Sequence, residues 1–86
     1  MYTKDNIFTR NKRINSFQLS KLHTFEVAAR HSSFSLAADE LSITPSAVSH
    51  RINKLELELG IELFHRTHRK ITLTEEGEYI KDNKLL

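Results

Sequence analysis

The sequence predicts a single small domain that is mostly α-helical, and three observations lead to this fold class. The chain has 86 residues, which is room for one domain. It contains only two glycines and one proline, and this composition disfavours an all-β fold with its many tight turns. Between residues 19 and 59, apolar residues recur every three or four positions, which is the spacing of helices that bury one face.

The first two helices are predicted from this spacing and from one capping residue. Apolar residues between Leu19 and Ala29 recur at helical spacing and end before His31, which predicts a first helix over about 18–30. Ser33 is a typical N-cap, because its hydroxyl can accept a hydrogen bond from an amide of the first turn. A short second helix then follows from four apolar residues at the same spacing: Phe34, Ala37, Ala38 and Leu41.

The third helix has sequence signals at both ends. Thr44 is an N-cap candidate, and Pro45 suits the first helical position because the N–H that it lacks would be unpaired there. Gly60 is typical of the residue just after a helix, so the helix is predicted to run from Pro45 to Leu59. Its core stripe is predicted from residues spaced four, three and four apart: Val48, Ile52, Leu55 and Leu59.

After the third helix the apolar period shortens, which predicts a β-hairpin with a basic tip at residues 65–70. Apolar residues on either side of this tip predict the two strands: Ile61, Leu63 and Phe64 before it, and Ile71 and Leu73 after it. Thr74 then caps a fourth helix that begins near Glu75, where carboxylates suit the electropositive first turn.

Positive charge is divided between two separate parts of the chain. The formal net charge is only +2, but residues 1–16 contain four basic side chains and one acidic one. Residues 61–70 contain three basic side chains and one acidic one, whereas the last sixteen residues are mainly acidic. Two basic patches suit a polyanionic partner, and the alternative is that these side chains only solvate the surface.

Several classes of protein are disfavoured by the composition. The chain has no cysteine, and His65 and His68 lack the further ligands that a zinc site needs, so no metal or other cofactor is expected. No apolar run is long enough to span a membrane, and the N-terminal MYTKDNIFTR lacks the apolar stretch that a signal peptide needs. We therefore expect a cytoplasmic protein without membrane contact. An enzyme is not expected, because so short a chain does not enclose a deep pocket.

The second and third helices have the spacing of a helix-turn-helix, since only Ser42-Ile43-Thr44 separates them. Opposite the core stripe, the third helix carries Ser46, His50 and Asn53, with Ser49 and Lys54 on the flanks. These small and polar side chains would let the helix enter the major groove of DNA. The alternative is an ordinary solvated face, although Lys and Glu would be better helix formers there.

The stretch from Leu19 to Gly77 resembles the winged helix-turn-helix domain of LysR-type transcriptional regulators. The resemblance rests on the sequence FEVAARHSSFSLAADELSITPSAVSHRINKLELELGIELFHRTHRKITLTEEG. Its most specific marks are Ser33-Phe34, Ala37-Ala38, Pro45 to Ser49, Leu55-Glu56, Leu59-Gly60, Leu63-Phe64 with Arg66, and Leu73-Thr74 with Glu76-Gly77. The family implies a sequence-specific domain for double-stranded DNA, in which the third helix reads bases and the hairpin is the wing.

The expected site residues fall into two groups. The base-contacting group lies on the third helix and comprises Ser46, Ser49, His50 and Asn53. Ser33 and Thr44 are expected to hold phosphates through their hydroxyls and the helix N-termini. The other expected contacts to the DNA backbone or minor groove are Arg51, Lys54, Arg66, His68, Arg69 and Lys70. By the resemblance, Arg69 reaches the minor groove and Arg66 the backbone.

The resemblance also implies a larger, dimeric bacterial regulator. We expect a basic arm at 1–17, the winged helix-turn-helix at 18–73, and the start of a linker helix at 74–86, with the effector domain absent. Such a homodimer would bind an interrupted palindrome and respond to a small molecule. The sequence most resembles those of the branch of the family that activates D-serine deaminase. This resemblance suggests D-serine as the effector.

The sequence differs from the residues that the family usually has at positions that affect DNA specificity. Pro45-Ser46 stands where many members have Gln-Pro, and His50 stands where Arg is common. Leu57 lies opposite the core stripe and is a candidate contact with a neighbouring subunit. The competing function is a winged-helix module for protein–protein interaction, which the basic wing and the mainly polar outer face of the third helix disfavour.

Overall fold

The computed structural model describes residues 16–68 and 70–83 and confirms the mostly helical fold class. The order of elements is α1 (Ser16–His31), α2 (Phe34–Leu41), α3 (Pro45–Leu59), β1 (Phe64–Arg66), β2 (Ile71–Leu73) and α4 (Glu75–Asn83). The first helix begins two residues before its predicted start. Residues 1–15 of the predicted basic arm lie outside the described residues.

The predicted helix caps are confirmed. The Ser33 hydroxyl accepts a hydrogen bond of 3.0 Å from the Leu36 N–H, and the Thr44 hydroxyl accepts one of 3.1 Å from the Ala47 N–H. Gly60 has a φ of 72° and donates its N–H to the Glu56 carbonyl at 2.8 Å. The beginnings of α2 and α3 are therefore fixed by capping hydroxyls and the end of α3 by the left-handed backbone of Gly60, as their sequence signals predicted.

The turn between α2 and α3 contains a left-handed residue that is not glycine. Ser42 has a φ of 59°, a conformation in which most side chains are strained. The Ile43 N–H donates to the Ala38 carbonyl at 3.0 Å, which closes the end of α2. This tight connection sets the angle at which α3 leaves α2.

The core lies where α1, α2 and α3 meet the inner face of the hairpin. Phe64 of β1 packs against Phe25 of α1 and Phe34 at the start of α2, with ring centroids 5.6 Å apart in both pairs. From α3 the core receives Val48, Ile52 and Leu55. The prediction that Leu59 also belongs to the core is wrong, because its side chain is 42% exposed. Leu59 is the last residue of α3, where the chain is already turning away at Gly60.

The hairpin is antiparallel, with Phe64 opposite Leu73 and Arg66 opposite Ile71. Helix α4 follows directly and packs closely on the base of the hairpin. The Thr74 hydroxyl donates to the Glu62 carbonyl at 2.6 Å and accepts from the Gly77 N–H at 2.9 Å. A Cβ atom at Gly77 would collide with the Leu63 carbonyl oxygen. Glycine is therefore required by the close approach of two segments of backbone.

Candidate nucleic-acid interface

The first three turns of α3 present a continuous polar surface. Ser46, His50 and Asn53 are exposed on it, and Ser49 is half-buried at its edge. The opposite face of the same helix supplies Val48 to the core. The structure therefore brings the four predicted base-contacting residues onto one accessible face, and Lys54 is exposed beside it.

Arg51 lies on a different side of α3. It is half-buried, and its Nη1 donates to the Thr24 hydroxyl of α1 at 3.3 Å. Thr24 is itself buried and donates to the Ser20 carbonyl at 2.7 Å. The Arg51 side chain thus contributes to the contact between α1 and α3.

Arg66 connects the wing to α3. Its Nη1 donates to Asn53 Oδ1 at 2.8 Å, and its Nη2 donates to Glu56 Oε1 at 2.9 Å. The guanidinium carbon also lies 5.5 Å from the centre of the Phe34 ring, within the range of a cation–π interaction. The Arg66 side chain is 37% exposed, so part of it still faces solvent.

Glu56 is the residue that sequence reasoning missed. Its side chain is only 13% exposed, and its Oε2 accepts hydrogen bonds from the Leu63 N–H at 2.8 Å and the Phe64 N–H at 3.3 Å. One carboxylate of α3 therefore holds both the backbone at the start of the wing and the Arg66 side chain. The available sequence signal was the Leu55-Glu56 pair, in which an acid directly follows a core residue.

The tip of the wing is exposed and basic. The Thr67 N–H and hydroxyl both donate to the Lys70 carbonyl, at 2.9 and 3.0 Å, which closes the tip. His68 and Lys70 are exposed there. Arg69, predicted to reach the minor groove, lies outside the described residues.

Ser33 and Thr44 stand at the N-termini of α2 and α3. Their hydroxyl oxygens accept from amides of the first turn, and each hydroxyl hydrogen is left to donate to another group. The N-terminal ends of helices also carry partial positive charge. Both positions can thus bind an anion such as phosphate while still capping their helices.

Other basic residues form ion pairs between helices. Arg30 at the end of α1 binds Glu40 of α2 through two hydrogen bonds of 3.0 and 2.7 Å, and His31 approaches the same carboxylate at 2.8 Å. The hydrogen bonds from Arg30 and then His31 lower the pKa of Glu40 to about 2. Lys21, buried in α1, binds Glu58 of α3 at 2.6 Å. These pairs fix the helices relative to one another.

The described residues offer neither a grouped set of metal ligands nor a membrane-spanning helix. Within residues 16–68 and 70–83, no three or more His, Cys, Asp or Glu side chains are grouped so that they could hold a metal ion. Across the same residues, no helix combines the length and apolar character that crossing a membrane requires.

The chain is similar in sequence to known regulators. It is 69% identical over 71 residues to the HTH-type transcriptional regulator DsdC of Escherichia coli (strain K12), covering 83% of this chain and 23% of that protein. It is 51% identical over 65 residues to the HTH-type transcriptional regulator PerR of the same strain, covering 76% of this chain and 22% of PerR. The chain thus spans less than a quarter of the length of either relative.

Solved structures of similar fold include complexes with DNA. The BenM_DBD/benA site 1 DNA complex matches with a TM-score of 0.72 at 37% identity, over 76% of this chain and 73% of that one. The CbnR_DBD–DNA complex matches with a TM-score of 0.73 at 28% identity, over 80% and 77% of the two chains. Residues 19–78 match the family described as bacterial regulatory helix-turn-helix protein, lysR family. The chain therefore belongs to the lysR family of bacterial regulatory helix-turn-helix proteins.

Proposed function

We infer that this chain is the sequence-specific, double-stranded-DNA-binding domain of a bacterial lysR-family transcriptional regulator. The observation that carries this inference is the exposed polar face of α3 beside a basic wing that is hydrogen-bonded to the same helix. A helix of this kind fits the major groove, where base edges can be read. Similarity to structures of DNA complexes supports the same function.

In this arrangement α3 reads bases through Ser46, Ser49, His50 and Asn53. Ser33 and Thr44 hold phosphates from the N-termini of α2 and α3, where hydroxyl and amide donors converge. Lys54 lies beside the reading face and binds the backbone on the same side. Phosphate contacts of this type set the register of α3 without specifying sequence.

The wing supplies the second set of contacts. His68 and Lys70 bind the DNA backbone from the exposed tip, and Arg69 enters the minor groove, whose negative potential attracts arginine. Arg51 and Arg66 have other roles in the free protein, because each donates hydrogen bonds to neighbouring side chains. A guanidinium has five N–H donors, so both residues retain donors for phosphate.

The chain's place in a longer regulator is part of the same proposal. The basic arm covers 1–17, the DNA-binding domain 18–73, and α4 within 74–86 begins the linker helix. Two copies bind an interrupted palindrome as a homodimer in the cytoplasm, and a separate domain binds the effector, for which D-serine is the candidate. The chain itself acts by binding DNA and not by catalysis.

A salt titration tests the function. The preferred duplex would be selected from a random pool, and its affinity compared with that of a random duplex by fluorescence anisotropy. We expect tighter binding to the selected duplex and a steep loss of affinity with salt on both, because bound phosphates release counterions. A module for protein–protein interaction would show no preference among duplexes and little dependence on salt. The Lys81→Ala variant, which removes an exposed cation of α4 away from the proposed interface, is the matched control and should bind as the parent does.

A further inference from the structure

The orientation of the Asn53 amide is determined by Arg66. A guanidinium has only N–H donors, so the Asn53 atom that lies 2.8 Å from Arg66 Nη1 must be the carbonyl oxygen Oδ1. The NH₂ group of the same amide is then directed away from Arg66. Asn53 is exposed on the outer face of α3, so this NH₂ group is the part of the amide available to a ligand.

Arg66 is well placed to fix that orientation because it is itself held on several sides. Its second terminal nitrogen binds Glu56 at 2.9 Å, and the Phe34 ring lies 5.5 Å from its guanidinium carbon. Glu56 in turn accepts the Leu63 and Phe64 N–H groups and is only 13% exposed. The Arg66 guanidinium that donates to Asn53 is therefore anchored, through Glu56, to the backbone of the wing.

We propose that Arg66 is a positioning residue that makes Asn53 a hydrogen-bond donor to DNA, so that Asn53 selects guanine or thymine over adenine or cytosine. This inference rests on the proposed function, in which α3 enters the major groove. Guanine presents two acceptors there, and thymine presents one. Cytosine presents a donor that the NH₂ group of Asn53 cannot bind.

Adenine is disfavoured for a related reason. An unconstrained asparagine pairs with adenine through two hydrogen bonds, in which its oxygen accepts from N6 and its NH₂ donates to N7. In this chain Oδ1 already accepts from a cation 2.8 Å away. The positive charge of the guanidinium opposes the approach of a second donor to the same oxygen. Adenine N7 still accepts from the NH₂ group, but the N6 amino group beside it is then a donor without an acceptor, whereas guanine and thymine offer no donor beside their acceptors. Asn53 held by Arg66 should therefore favour guanine and thymine over adenine.

The test compares four duplexes that differ at one base pair of the selected site. That base pair is first located as the position at which Asn53→Ala reduces the ratio between the affinities for the best and the worst of the four duplexes. The expected reduction is roughly five- to thirtyfold. At this position the parent should favour guanine or thymine. Asn53→Asp has the same shape but only acceptor oxygens, so it should lose that preference as completely as Asn53→Ala does. Retention of the parent's preference by Asn53→Asp would overturn the proposal.

The second variant addresses Arg66 directly. Arg66→Lys keeps the positive charge, but its single ammonium group on a flexible chain does not reproduce the fork that binds both Asn53 and Glu56. The ratio of affinity for adenine to affinity for guanine or thymine should rise by roughly fivefold, because the Asn53 carbonyl is released. The matched control is Arg30→Lys, which alters an arginine that also binds a carboxylate but belongs to α1. Its base preference should equal the parent's.

The outcomes separate this proposal from the proposed function. If the parent binds no duplex specifically, both fail. If the parent binds specifically but prefers adenine at the Asn53 position, only the present proposal fails. The same holds if Arg66→Lys shows the base ratios of Arg30→Lys, since Arg66 would then be released from Asn53 when DNA binds. Because only ratios of affinities are compared, a general loss of binding in Arg66→Lys does not affect the result.

Discussion

Glu56 of α3 and Arg66 of β1 form a hydrogen-bonded ion pair of 2.9 Å across the junction between the reading helix and the wing. The other oxygen of the Glu56 carboxylate accepts the N–H groups of Leu63 and Phe64. A largely buried carboxylate thus fixes where the hairpin begins and where its arginine points. This side chain therefore acts with the buried Phe64 ring to set the relative placement of the two proposed DNA-contacting elements.

Glu56→Ala should destabilise the domain. The substitution leaves two backbone N–H groups without their acceptor and Arg66 without its ionic partner, so the free energy of unfolding should fall by about 2–3 kcal/mol. Urea denaturation followed by circular dichroism measures this loss. Glu62→Ala removes an exposed glutamate nearby and should change stability by no more than about 0.5 kcal/mol. Equal stability of the two variants would show that Glu56 does not anchor the wing.

Val48→Asp should unfold the domain at neutral pH. Val48 is fully buried, and an unpaired carboxylate at its place would lose its hydration without gaining a partner. The matched control is Leu57→Asp, on the same helix but 80% exposed, which should remain folded. Far-ultraviolet circular dichroism and thermal melting compare the two. A helical Val48→Asp variant with the parent's melting temperature would mean that the core face of α3 is assigned wrongly.

Gly77→Ala should lower stability although alanine is the better helix former. Helix propensity alone predicts a gain of up to about 1 kcal/mol. The new methyl group would meet the Leu63 carbonyl and come within 2.9 Å of the Leu73 side chain, so α4 and the hairpin would have to separate. Chemical denaturation decides between the two effects. A gain in stability would show that this junction adjusts at little cost, and Glu76→Ala, an exposed change in the same turn, is the control.

Stability should fall in acid as Glu40 loses its charge. The pKa of Glu40 is lowered from 4.5 to about 2, first by the hydrogen bond from Arg30 and then by that from His31. The ionised carboxylate therefore stabilises the fold above about pH 4.5, and this contribution is lost as the pH falls toward 2. Titration of the Glu40 side chain by NMR should give a midpoint near the lower value. Arg30→Met should move the midpoint back toward 4.5, and a parent midpoint already at 4.5 would contradict the ion pair.

The parts of the fold that the sequence predicted are those governed by neighbouring residues. Ser33, Thr44 and Gly60 act within three or four positions of where they stand, so their patterns locate α2 and α3 closely. The same local reasoning failed at Leu59, because helical spacing does not reveal how far along α3 the core extends. Local reasoning also does not show why residue 77 must be glycine, since the contact that requires it comes from Leu63 in a different segment of the chain.

The candidate site was predictable in its outline but not in its connections. Helical spacing was enough to group Ser46, His50 and Asn53 on one face of α3. The hydrogen bonds from Arg66 to Asn53 and Glu56 join residues 13 and 10 positions apart across a turn and a strand. No periodicity in the sequence encodes such contacts. They follow from the position at which the hairpin packs on the helix.

The most direct test of the account is whether α3 reads base edges, and His50 is the residue to change. His50→Ala should lose about 1–3 kcal/mol of binding free energy on the selected duplex and little on random DNA. Lys70→Ala, on the wing, is the matched comparison: it should weaken both duplexes about equally and reduce the slope of affinity against salt by about 1. Both variants would be measured by fluorescence anisotropy at several salt concentrations. If His50→Ala instead weakens binding to selected and random duplexes alike, α3 is not the reading element and its assignment to the major groove is wrong.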